Sequence, residues 1–174
     1  PARLALLRQV GIEPIVVPSR VDEDAAVAAE TARIGPLNPA AMVQLLARLK
    51  AEAIMAELPD GEPIDGVILG GDSAFEINGI TYGKPHEPQI ARERWLAQRG
   101  KTGTLHSGHW LIDHRQGHQT RATGGVAAAS VSFADDISDA EIAAYIATGE
   151  PLNVAGAFTI DGLAAPFITE IVGA

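Results

Sequence analysis

Asp65-Gly66-Val67-Ile68-Leu69-Gly70-Gly71-Asp72-Ser73 is the stretch on which the reading of this chain turns. Its apolar centre is too short for a helix and reads as a buried central strand, ended by two glycines, with Asp72 at its carboxyl end. Before it, Asn38-Pro39 reads as a cap and first-turn proline for a helix running to about Leu58. The expected buried stripe of that helix is Met42, Leu45, Leu46, Leu49 and Ala53, and Pro59-Asp60-Gly61 turns the chain toward the strand. After it, Phe75-Glu76-Ile77 and Ile80-Thr81-Tyr82 flank Asn78-Gly79, the signature of a type I′ hairpin.

The same punctuation organises the rest. Residues 1–10 read as a helix with Leu4, Leu7 and Val10 on one face, stopped by Gly11. Ile12–Val17 is a short strand candidate bent by Pro14, followed by the acidic loop Val21–Ala25 and an Ala-rich helical stretch over 25–34. Residues 88–99 form an amphipathic helix closed by Gly100. Thr102–Asp113 and Gln119–Phe133 are strands around a polar turn. Ser138-Asp139-Ala140-Glu141 is a capping box for a helix that Gly149 stops. Gly156–Ile160 and Pro166–Val172, around Asp161-Gly162, read as a terminal hairpin-like pair. Helices alternating with strands give one α/β domain with a mixed sheet.

Composition narrows the function. The 174 residues carry 47% hydrophobic and 20% charged side chains, so a wholly disordered chain is excluded. No apolar run reaches the roughly 18 residues of a membrane span. No cysteine is present, which removes disulfides, zinc-thiolate sites and thiol nucleophiles, and fits a cytoplasmic protein. A net charge of −9 argues against nucleic acid and anionic membranes as partners, yet leaves room for a small basic pocket. Pro1 opens the chain without Met, and Val172-Gly173-Ala174 ends it abruptly, so further residues are expected at both ends.

Chemistry is expected where carboxylates meet cations. Asp72, at a strand's carboxyl end, is placed to meet a ligand, activate water or hold a divalent metal. Lys84, in Gly83-Lys84-Pro85, is brought back toward Asp72 by the hairpin and reads as a phosphate clamp. Lys50 lies beside the apolar stripe, where it either snorkels or points into a cleft. Glu23 lies in the acidic loop. Arg3 stands at a helix start, where a cation is mismatched to the dipole and points to an anion nearby. His106 and His109 face opposite sides of a strand and His114 and His118 lie in a polar turn, a poor zinc set. Neither a P-loop nor a Gly-x-Ser-x-Gly elbow is present.

Taken in order, these segments resemble the Maf family of nucleotide pyrophosphatases, the septum-formation-inhibitor proteins. Pro1-Ala2-Arg3-Leu4-Ala5-Leu6-Leu7 is similar to the end of the family's Ser-Pro-Arg-Arg-x-x-Leu-Leu motif, and Val21-Asp22-Glu23 to its acidic loop. Ala47-Arg48-Leu49-Lys50-Ala51 matches Ala-x-x-Lys-Ala, Leu69-Gly70-Gly71-Asp72-Ser73 resembles Gly-Ala-Asp-Thr, and Gly83-Lys84-Pro85 matches Gly-Lys-Pro. Tyr145 to Pro151 with Ala155-Gly156-Ala157-Phe158 resembles Tyr-x-x-x-x-Glu-Pro…Ala-Gly-Ala-Tyr. The resemblance spans essentially the whole chain.

It implies an elongated α/β domain over 1–174, with a mixed, twisted sheet flanked by helices and without the family's first strand and a C-terminal segment. It also implies a metal-dependent hydrolase that cleaves nucleoside triphosphates between the α and β phosphates, cytoplasmic and commonly dimeric. Asp72 would accept the proton from water and share a Mg or Mn ion with Glu23, while Arg3, Lys50 and Lys84 neutralise phosphate charge. Ala2, Ser73, Asp161 and Val154 depart from the family's residues. Ser73 and Asp161 stand at positions tied to base choice, so no preference for dTTP and UTP is assigned. The competing readings are a non-catalytic nucleotide- or partner-binding protein of cell division, and a general phosphatase.

Overall fold

The computed structural model describes residues 2–57 and 61–173; Pro1, the expected helix end at Leu58 and the turn at Pro59-Asp60 lie outside them. The described chain runs α1 (Ala2–Gln9), α2 (Glu23–Ile34), α3 (Pro39–Ile54), β1 (Val67–Ile77), β2 (Ile80–Tyr82), α4 (Pro88–Gln98), β3 (Thr102–Asp113), β4 (Arg121–Phe133), α5 (Asp139–Ala147) and β5 (Ile168–Gly173), with short 3-10 turns between. The α/β class expected from the sequence holds. The strands form one sheet in the order β2-β1-β3-β4-β5.

The expected mixed sheet is, among the described strands, antiparallel at every pairing. A parallel pair needs a crossover returning the chain to the same end of the sheet. Here the connections deliver each strand beside its neighbour running the other way. Asn78 and Gly79, both at positive φ, turn β1 into β2 as read from the sequence. The capping box at Ser138–Glu141 and the stop at left-handed Gly149 also stand as read.

Three expectations are corrected. Ile12–Val17 joins no strand, since Pro14 and Pro18 remove donors and Ile15 and Val16 stay exposed. Gly156–Ile160 is a 3-10 turn and loop, and β5 pairs instead with β4. The strand containing the two glycines does not end there: β1 continues to Ile77, pairing residue for residue with β3 from Val67 to Glu76, and Asp72 lies mid-strand opposite Gly108.

Those glycines serve close packing. A Cβ on Gly70 would lie 2.1 Å from the Ala47 carbonyl oxygen, and one on Gly108 2.3 Å from that of Val43. Helix α3 therefore rests backbone to backbone on one face of the sheet. Its buried residues are Val43, Leu46, Ala47, Ala51 and Ile54, so that of the expected stripe only Leu46 is buried and the face is rotated toward the alanines. Ile54 and Ala51 pack there on Ile68 and Ile112. Strand alternation puts Gly71, Ser73, Phe75 and Ile77 on the opposite face. At that face's far end, Phe75, Trp95, Phe133, Tyr145 and Phe158 meet edge to face beneath α4 and α5.

Gly70→Ala or Gly108→Ala should lower thermal stability, at an overpacking cost of about 1–3 kcal/mol. Gly125→Ala, whose Cβ meets nothing within 4 Å, should leave the melting temperature almost unchanged in the same calorimetric comparison.

Candidate active site

The close seating of α3 decides where its one lysine goes. Lys50 is one helical turn beyond Ala47, on the same face, and Asp72 is two residues beyond Gly70, on the same side of β1. The Lys50 Nζ donates to Asp72 Oδ1 at 2.7 Å and lies 2.8 Å from Glu23 Oε1. Lys50 and Asp72 side chains are 18% and 12% exposed, so the pair is shielded on one side and open on the other. Burial pulls the Lys50 ammonium down, but Asp72 and Glu23 outweigh it and hold its pKa above the ordinary value. Glu23 opens α2 behind the Asp22 cap, where the helix dipole favours a carboxylate.

Arg3 approaches the same peptide from the opposite face. Gly71 leaves room for its guanidinium, since a Cβ there would lie 2.6 Å from Arg3 Nε. Arg3 Nη2 donates to the Asp72 carbonyl oxygen at 2.8 Å and to Ser73 Oγ at 2.9 Å, and Nε donates to His109 Nε2 at 3.2 Å. Burial lowers the Arg3 pKa against the pull of Asp72, yet a guanidinium stays charged. Burial and then the Arg3 charge hold His109 below its ordinary value, which favours the neutral ring. Asp72 thus stands between a half-buried ammonium on one face and a guanidinium on the other. Among the described residues it does so at an open edge, because β2 pairs only with Phe75, Glu76 and Ile77. A cleft of about 940 Å³ runs along that edge, lined by Arg3, Lys50, Glu62, Asp65, Gly70 and Gly71 among others.

Of the residues singled out in the sequence, Arg3, Glu23, Lys50, Asp72 and Ser73 come together. Lys84 is exposed and does not pair with Asp72, as the hairpin had suggested. The ladder ends at Tyr82, and Pro85 cannot extend it. Its loop is nonetheless pinned: Arg94 Nη1 donates to the Gly83 carbonyl at 2.5 Å, the Arg94 guanidinium lies 4.9 Å over the Tyr82 ring, and His86 N donates to the Leu152 carbonyl at 2.9 Å. Asp161 is exposed in a turn. That turn is tied to Glu150, which accepts from Tyr145 Oη at 2.8 Å, from the Thr159 hydroxyl and from Leu163 N at 3.0 Å. Burial pushes Glu150 up, but these bonds outweigh it and hold its carboxyl below the usual range.

The donor set suits a hard cation. Oδ2 of Asp72 and Oε2 of Glu23 carry no hydrogen bond among the described residues. No group of three or more metal-type side chains converges among them either, so the protein offers a pair of carboxylates at most. Mg²⁺ is typically bound this way, through one or two carboxylates with water and phosphate oxygens completing its shell.

The family model for Maf-like proteins matches residues 1–174. The chain is 70% identical to a nucleoside triphosphate pyrophosphatase of Leifsonia xyli subsp. xyli, over 99% of this chain and 80% of the relative. It is 46% identical to one of Salinispora tropica, over 99% of the chain and 71% of the relative. It is 44% identical to one of Thermosynechococcus vestitus, over 99% and 79%. With a whole-length family match and relatives this similar, a chain that gathers Arg3, Glu23, Lys50, Asp72 and Ser73 around one strand edge belongs to the Maf family.

Proposed function

We propose that this chain hydrolyses nucleoside triphosphates to a nucleoside monophosphate and pyrophosphate. The observation that carries this reading is Asp72, a carboxylate with one free oxygen at an open strand edge, flanked by Lys50 and Arg3 on opposite faces. The water oxygen bonds to the α-phosphorus, the Asp72 carboxylate takes its proton, and the α–β bridging oxygen leaves with the pyrophosphate. Arg3 and Lys50, joined by Lys84 from its pinned loop, offset the phosphate charge. Glu23 and Asp72 would hold a Mg or Mn ion, which would supply further charge neutralisation.

No described helix is long and apolar enough to cross a membrane, and with a charge of −9 the reading is a cytoplasmic enzyme without nucleic-acid or membrane partners. A homodimer belongs to the same reading. So does a domain over 1–174 completed by a further strand and a C-terminal segment. The unpaired edge of β1 from Val67 to Ala74 supports the strand, as do relatives longer than this chain. A nucleotide panel with Mg²⁺ or Mn²⁺ tests the activity. Pyrophosphate with monophosphate is the expected result; orthophosphate would favour a general phosphatase, and binding without product a non-catalytic protein.

Asp72→Asn should cut turnover about 10²–10⁴-fold while keeping the fold, the usual effect of losing a general base. Near-normal rates would remove Asp72 from that role. The two lysines should separate by burial. Lys50→Ala should lower both turnover and melting temperature, because it leaves Asp72 and Glu23 facing each other uncompensated. Lys84→Ala should raise KM for the triphosphate and leave the melting temperature alone; unchanged kinetics would return Lys84 to the solvated surface.

The family resemblance implies a glutamine where Asp161 stands, in Ile160-Asp161-Gly162, so an amide that both donates and accepts gives way to a carboxylate that only accepts. A base edge rich in N–H donors, such as guanine N1–H and N2–H₂, should be favoured over thymine, which mixes one donor with two acceptors. Competition between dTTP and GTP should therefore shift toward dTTP in Asp161→Gln. Equal selectivity in both proteins would place Asp161 outside the base pocket.

A further inference from the structure

A guanidinium has five N–H donors, and Arg3 spends three of them inside the protein. Nε is satisfied by His109 Nε2, and Nη2 by the Asp72 carbonyl and Ser73 Oγ. The Nη1 donors have no partner among the described residues. These bonds are what fix the side chain, because no residue of α1 is more than partly buried and the helix gives Arg3 little packed base. His109 is the one side chain among the acceptors that comes from a strand other than β1. It stands on β3 directly across from Gly71, the residue on which the guanidinium lies.

We propose that His109 is a positioning residue for Arg3: it accepts the Nε hydrogen, locks the plane of the guanidinium against β1, and leaves Nη1 as the edge that meets the substrate's phosphates. This rests on the reading of Arg3 as a phosphate ligand and adds the residue that orients it. The bond requires the tautomer protonated at Nδ1, since an arginine can only donate and Nε2 must therefore be bare. Ser73 and the Asp72 carbonyl hold Nη2 alone, which leaves the plane free to swing about that nitrogen. His109 supplies the second point. A glycine at position 71 and an acceptor at position 109 together make a seat for a planar cation.

The test is a mutant cycle with His109→Leu, His109→Gln, Arg3→Met and the Arg3→Met/His109→Leu pair. Each is read by kcat and KM for triphosphate hydrolysis and by calorimetric binding of inorganic pyrophosphate, with melting temperature followed throughout. His109→Leu should lose about tenfold or more in kcat/KM and in pyrophosphate affinity, the lower end of what one hydrogen bond to a charged group is worth. His109→Gln, whose Oε1 reaches the place of Nε2, should recover most of that loss. In the Arg3→Met background, His109→Leu should add nothing. An equal loss in both backgrounds, a Gln variant no better than Leu, or unchanged binding in His109→Leu would each overturn the proposal. If Arg3→Met leaves pyrophosphate binding untouched, the phosphate role of Arg3 falls and this inference with it. If binding follows the expected cycle while no triphosphate is cleaved, the inference stands and the hydrolytic reading fails.

Discussion

The backbone contact between α3 and the sheet is the constraint from which the site follows. A helix ordinarily stands off a sheet by the thickness of two side-chain layers. Here Gly70 and Gly108 remove one of those layers, and the Ala47 and Val43 carbonyls settle where Cβ atoms would otherwise be. The approach brings Lys50 within a hydrogen bond of Asp72 and carries its ammonium into a partly shielded position, where it needs both carboxylates. A helix one layer further out would leave Lys50 reaching for solvent and Asp72 with no cation on that face. The glycines are thus as much a part of the site as the charged groups.

The second constraint is the incomplete edge of β1. A carboxylate in the middle of a strand is normally walled in by ladders on both sides. Asp72 has β3 on one side only, and its carbonyl is satisfied by Arg3. An arginine that serves an edge carbonyl and carries a free pair of donors links the two faces of the strand. On one face Lys50 holds the carboxylate; on the other Arg3 holds the same residue's main chain. Under the proposed function a phosphate at that edge would meet both cations without either having to move far, and preorganised charge is usually the largest single term in such chemistry.

Local signals were legible in the sequence and packing signals were not. The Asn38 cap, the Asn78-Gly79 turn and the Ser138–Glu141 box act within a few residues, and each is where its pattern put it. Gly70-Gly71 was misread as a strand end because glycine punctuates turns far more often than it admits a helix or a guanidinium. The stripe on α3 was taken a fraction of a turn off, since Leu45 and Leu49 were counted and Ala47 and Ala51 were not. The true face runs through Val43, Ala47 and Ala51, where small residues let the helix sink, and it carries Lys50 inward. His109 was weighed only as a metal ligand. Its partner is an arginine more than a hundred residues away, and only the β1–β3 register, with Gly71 opposite His109, brings them together. Alternation along β3 was visible in the sequence; which residue lay across from it was not.

The chain as a whole carries −9, whereas the two cations gathered at the site, Arg3 and Lys50, balance its two carboxylates, Glu23 and Asp72. At −9 the protein repels a polyanionic nucleotide from afar. At physiological ionic strength that repulsion is screened beyond about 8 Å, whereas a contact inside a cleft is screened much less. Several acidic groups are moreover occupied by neighbouring arginines, as with Glu13 and Arg8, Glu30 and Arg33, and Asp113 and Arg115. Each such pair has little net field at the site. Two carboxylates at the site itself would be a heavier obstacle, but Lys50 lies between them and Arg3 lies behind the Asp72 peptide.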